Sequence, residues 1–221
     1  MSWRLNAENV FRNYGLTDVY EFGVFTGESV YDIQNIFNRR KLCIRKFFCF
    51  DSFVGLPEET KEPIYQECWR AGNFNASQAA GVSSVDDCIA WVDKVVRSRA
   101  DFNNTDLVYV AGFYEDSLQD SIVKEKDMRP AAYVDLDADL YCSTYTALDF
   151  MCRNGLIVPG TILGYDDWGG TPNWQVYGDG ESRAHAEICA KYRIVADKIV
   201  QFGGSYPHVQ SMFIVKEVLG A

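Results

Sequence analysis

Residues 133–144 read YVDLDADLYCST, three aspartates at every second position after an apolar run. In an extended strand Asp135, Asp137 and Asp139 share one side, about 7 Å apart at each step. Carboxylates in that position either reach solvent or gather a cation. A second apolar run, TILGYDDWGG at 161–170, sets Asp166 and Asp167 at the corresponding height of a neighbouring strand. Isolated aspartates that cap or open loops would account for any one of these residues. Five acids at two strand ends suit a hard, oxygen-binding cation instead, Mg²⁺ or else Ca²⁺ or Mn²⁺.

A second constellation lies at YEFGVFTGESV, residues 20–30. The spacing of Gly23 and Gly27 is not the dinucleotide fingerprint, and no Gly-Lys-Ser/Thr follows to make a phosphate loop. It suits backbone passing close to a ligand that carries no pyrophosphate. Glu21 would repel phosphate and attract an ammonium group or a ribose hydroxyl. The next apolar run ends in FFCFDSF, where Asp51 can accept from both hydroxyls of a ribose. A nucleoside with a positive charge and no phosphate fits both places, and S-adenosylmethionine answers that description.

These residues need elements to hold them. Residues 19–24, 46–50, 107–111, 131–136 and 161–165 are predicted strands, and 193–200 and 209–216 are further candidates. Helical periodicity covers 84–99 with Ser84 as cap, about 144–154 with Ser143 as cap and Gly155 as stop, 29–40 and 181–192. The alternation predicts an α/β fold, a parallel sheet with helices on both faces. Ligands of such sheets bind at the C-terminal ends of the strands, where both constellations fall. The 221 residues read as one domain, with 52–83 an insertion or lid.

Thirty-one acids against 21 bases leave a net charge of −10, which argues against a nucleic-acid partner. The longest stretch without a charged residue, 199–215, is broken by glycine and proline and does not predict a membrane span. Seven cysteines with no C-x-x-C pair predict reduced thiols and a cytoplasmic protein.

In order along the chain, YEFGVFTGES, FDSFVGLPE, DLDADLYCST and ILGYDDW resemble the macrocin O-methyltransferase-like group of S-adenosylmethionine enzymes. The glycine turn and aspartate strand are also similar to the metal-dependent catechol and caffeoyl-CoA O-methyltransferases. The resemblance spans roughly 18–170, and GESRAHAEICAKY extends it loosely. It implies a Rossmann-like class I methyltransferase fold, a mostly parallel seven-stranded sheet with helices on both faces, with cofactor contacts at Glu21, Gly23, Thr26, Gly27, Ser29 and Asp51. It implies Mg²⁺ on Asp166 and Asp167 together with Asp137, also a candidate base, or with Asp135 if the caffeoyl-CoA alignment holds. A homo-oligomer and a small hydroxyl-bearing acceptor, a sugar or catechol-like diol, complete the expectation.

Competing readings remain open at this level. Asp-x-Asp pairs also hold metal and diphosphate in nucleotide-sugar glycosyltransferases, though that leaves Glu21, Gly27 and Asp51 unexplained. A non-catalytic S-adenosylmethionine-binding protein is the third. His185, on a helix-period segment, is a candidate base or a plain surface residue. Trp168 and Trp174 are candidate walls of the acceptor pocket, and His208 reads as structural.

Overall fold

The computed structural model describes residues 3–64, 66–168, 179–203 and 209–220. A single helical turn, α1 (Trp3–Asn6), leads into β1 (Asp18–Phe22), α2 (Glu28–Arg40) and β2 (Lys46–Asp51). The following segment carries only a short 3₁₀ turn at Glu67–Trp69 and α3 (Ala76–Ala80). Then come α4 (Val85–Arg99), β3 (Asp106–Ala111), α5 (Tyr114–Ser117), α6 (Ser121–Glu125), β4 (Ala131–Leu136) and α7 (Tyr141–Arg153). The chain closes with β5 (Ile162–Tyr165), α8 (Gly180–Tyr192), β6 (Ile194–Phe202) and β7 (Gln210–Val218).

All seven strands join one sheet in the order β3-β2-β1-β4-β5-β7-β6, with β7 antiparallel to both its neighbours and the other pairings parallel. Every residue of β1 and β4 is buried, as central strands covered on both faces require. Two apolar clusters, one on each face, sandwich the sheet. On one face the register Tyr20↔Phe48 and Phe22↔Phe50 stacks aromatic rings 4.9 and 4.7 Å apart. Each such pair adds about 1 kcal/mol beyond its buried area.

The strand order reverses direction between β1 and β4, a topological switch point, and a crevice opens there at the strand ends. Backbone geometry fixes its floor. Gly23 turns the chain out of β1 at φ +94°, two residues before the predicted strand end. A Cβ at Gly23 would lie 1.8 Å from the carbonyl oxygen of Asp137, while Asp137 N–H donates to Phe22 O at 2.9 Å. The first strand and the aspartate loop are therefore in backbone contact, and only glycine permits it.

Ser84 caps α4 as predicted, accepting from Asp87 N at 3.1 Å. Ser143 does not cap α7, which begins at Tyr141. Its end is capped across space by Glu59, whose carboxylate accepts from Cys142 N at 2.7 Å. Gly155 terminates that helix in the left-handed conformation. The three-aspartate ladder is shorter than predicted. Strand β4 ends at Leu136, so only Asp135 is in it, and Asp139 at φ +59° turns out of the alternation. All seven cysteines are free, and no helix among the described residues is long and apolar enough to cross a membrane.

Gly23→Ala is expected to cost roughly 2–4 kcal/mol, from overpacking plus an unfavourable φ. Denaturant unfolding measures it, and a loss within experimental error would contradict the backbone contact.

Candidate active site

Arg4 lies at the centre of the acid cluster, 131 residues in sequence from its main partner. Its Nε donates to Asp135 Oδ1 and Oδ2 at 3.0 and 2.9 Å, and its Nη2 donates to Asp135 Oδ2 at 2.6 Å. The same Nη2 reaches Asp137 Oδ2 at 3.1 Å, and Nη1 lies 3.4 Å from Asp166 Oδ1. Asp135 is fully buried and also accepts from Tyr133 Oη. Its hydrogen-bonding capacity is thus taken by protein donors. Asp137 and Asp166 keep 29% and 27% of their side-chain surface, and they face the crevice.

Ligand atoms of Asp137, Asp166 and Asp167 lie within 4.8 Å of one another. Behind them Glu181, buried on α8, accepts from Asp167 N at 3.0 Å and from Ala138 N at 3.5 Å, tying the two aspartate loops together. Burial first, then repulsion from neighbouring carboxylates, holds Asp137, Asp139, Asp167 and Glu181 well above the ordinary carboxylate range. One guanidinium does not balance that negative charge. The oxygen-only donor set and the uncompensated carboxylates fit a divalent cation.

Asp51 closes the glycine turn. One of its carboxylate oxygens accepts from Val24 N at 2.7 Å and Phe25 N at 2.8 Å, and the other from Phe53 N at 2.6 Å. Burial raises its pKa and those backbone donors oppose the rise. Asp51 and Gly23 line a cavity shared with Gly55, Phe74, Gly112 and Asp137. Residues of the 52–83 segment form one wall of it.

Not every expected cofactor residue reaches that cavity. Thr26 and Ser29 line an adjoining, more polar cavity instead. Glu21 is fully buried behind the turn, accepts from Ser29 Oγ, and is pushed well above the usual range by burial and by Asp135. Gly27 packs against α4, where an added Cβ would sit 2.5 Å from Val96 Cγ1, so helix packing already requires it.

The second cavity is bounded by Trp3, Arg4, Phe25, Phe202 and Gln210, and Asp137 and Asp166 open onto it. Asp137 alone of the cluster borders both cavities. Trp3 Nε1 donates to Asp166 Oδ1. Trp3, Arg4 and Glu181 were not singled out from the sequence. Trp3 and Arg4 precede any motif, and no local pattern announces a contact made across the whole fold. Trp168 is buried against Tyr165 and Phe213 and does not wall either cavity. Trp174 and His208 fall outside the described residues.

The profile of the macrocin O-methyltransferase family (TylF) matches residues 4–188. This chain belongs to that family. It is an S-adenosylmethionine-dependent O-methyltransferase, which removes the glycosyltransferase and non-catalytic alternatives. Solved structures with the same fold include a calicheamicin methyltransferase, 17% identical over 96% of this chain and 77% of that one, with a TM-score of 0.69. The O-methyltransferase NovP is 19% identical over 97% of this chain and 80% of its own, at a TM-score of 0.66. A second structure of that calicheamicin enzyme, described as a TDP-rhamnose 3′-O-methyltransferase, aligns at 15% identity over 96% of this chain and 77% of its own, at a TM-score of 0.63. No curated protein matches the sequence.

His185 lines neither of the two cavities. It is buried among Tyr165, Trp168 and Phe213, its Nδ1 is 2.7 Å from Tyr165 Oη, and burial lowers its pKa to about 4. Between about pH 4 and 6.5 the unfolded chain binds a proton there that the fold refuses, so stability rises with pH across that window. The gain is roughly 3 kcal/mol. His185→Gln should flatten this part of a stability–pH curve measured by denaturant unfolding, and an unchanged slope would contradict the burial argument.

Proposed function

We propose that this methyltransferase acts on a hydroxyl of a small polar acceptor, a sugar or vicinal diol, with Mg²⁺ held by Asp137, Asp166 and Asp167. One observation carries the reading. Asp137 belongs to the three-acid cluster and borders both the cavity at the glycine turn and the adjoining one. Donor and acceptor seated in those two cavities would meet at its carboxylate.

Asp51 is the ribose-binding residue in this reading, its orientation fixed by three backbone donors. Gly23 lets the cofactor lie against backbone, while Glu21, Thr26, Gly27 and Ser29 shape the turn around it. Carboxylates of Asp51, Asp137 and Asp139 line the cofactor cavity and favour a sulfonium over the neutral thioether left after transfer. When bound, S-adenosylmethionine supplies the methyl group and Mg²⁺ supplies a Lewis acid that lowers the pKa of the acceptor hydroxyl. Asp137 takes the hydroxyl proton, and the shared wall sets the line from oxygen to methyl carbon on which the rate depends.

The second cavity supports a sugar-like acceptor. Trp3, Phe25 and Phe202 offer apolar faces, while Asn6, Thr26 and Gln210 offer hydrogen-bonding groups. The relative named for TDP-rhamnose is consistent with it. The same reading places the enzyme in the cytoplasm as a homo-oligomer, without nucleic-acid or membrane partners.

Calorimetric titration with S-adenosylmethionine, with and without Mg²⁺, tests the assignment. Asp137→Ala should abolish metal-dependent turnover, by 100-fold or more, while leaving affinity for the neutral S-adenosylhomocysteine within a few-fold. Unchanged turnover would sink the metal and base assignments together. Asp51→Ala should weaken cofactor binding by roughly 1–3 kcal/mol, and wild-type affinity would overturn the ribose assignment.

A further inference from the structure

We infer that Arg4 is a positioning residue for the cation site, setting the carboxylates of Asp137 and Asp166 from the far end of the chain. The inference rests on the metal reading above and goes beyond it to a residue outside the cation's own donor set. A simpler role would be to neutralise the buried Asp135. The contacts exceed that role, because Nη2 and Nη1 extend past Asp135 to one aspartate from each of two adjacent strand ends.

Geometry assigns each part of the fork a task. Nε and Nη2 grip both oxygens of Asp135, which is fully buried, and so remove it from the donors open to a cation. Nη2 fixes Asp137 by Oδ2, and Nη1, with Trp3 Nε1, fixes Asp166 by Oδ1. The second oxygen of each carboxylate, Asp137 Oδ1 and Asp166 Oδ2, accepts no hydrogen bond from a described residue, and both acids border the cavity. The guanidinium is itself anchored, 5% exposed and 5.0 Å from the centroid of the Trp3 ring. Groups that orient ligands in this way commonly change metal affinity 10–100-fold when altered. A lysine carries the charge but not the planar fork, so it satisfies Asp135 without reaching the other two acids.

Mn²⁺ titration followed by electron paramagnetic resonance of the free ion reads the site without any turnover. Three proteins are compared: wild type, R4K, and Arg4→Met combined with Asp135→Asn. The double variant removes the buried pair together and keeps the net charge of the cluster. Both variants should melt cooperatively and bind S-adenosylhomocysteine within about three-fold of wild type, with Mn²⁺ affinity 10–100-fold weaker. Wild-type Mn²⁺ affinity in R4K, or in the double variant should R4K not fold, would overturn the positioning role and leave Arg4 as a counter-ion of Asp135. Failure of wild type to bind Mn²⁺ at all would remove the cation site itself, and this inference with it.

Discussion

Negative charge gathered at the ends of β4 and β5 is the constraint that organises this molecule. Asp135, Asp137, Asp139, Asp166, Asp167 and the buried Glu181 crowd into a low-dielectric crevice, and carboxylates so placed repel one another strongly. The fold answers with one buried guanidinium, contributed by Arg4 and locked on Asp135. Protonation of the remaining acids or capture of a further cation must supply the rest. In the proposed function a divalent ion would do so where the two cavities share Asp137.

The rest of the architecture places that cluster beside the glycine turn and its cavity. Parallel pairing of β1 with both β2 and β4 brings the glycine turn, Asp51 and Asp137 to one edge of the sheet. Asp51 holds the turn through its backbone donors, and Gly23 admits the Asp137 loop to within backbone contact. Each residue thereby serves two ends. Asp51 shapes the turn and faces the cavity, and Gly23 joins the strand carrying the turn to the loop carrying the acid.

Much of this was legible in the sequence, because the signals are local. Alternating apolar runs and amphipathic helices specify the parallel sheet, and the acids that follow apolar runs fall at strand ends, where such sheets bind ligands. The errors have physical causes. Strict alternation predicted three aspartates on one side, but Asp139 leaves the strand in the left-handed conformation, which the pattern of residue types does not encode. The cap of α7 comes from Glu59, more than eighty residues away, and so could not be read from Ser143. Arg4 and Glu181 complete the cluster through contacts that only tertiary structure creates. His185 had the composition of a base, but lies in an apolar pocket against Tyr165, where it stays neutral.

In the proposed function a divalent cation sits among Asp137, Asp166 and Asp167. Anomalous diffraction from crystals grown with Mn²⁺ and S-adenosylhomocysteine locates it directly. The account predicts a single strong peak among Asp137, Asp166 and Asp167, within about 2.3 Å of a carboxylate oxygen from each, with Arg4 still bound to Asp135. A peak on Asp135 with Arg4 displaced, or a nucleoside bound at the glycine turn with no ion in the acid cluster, would contradict it.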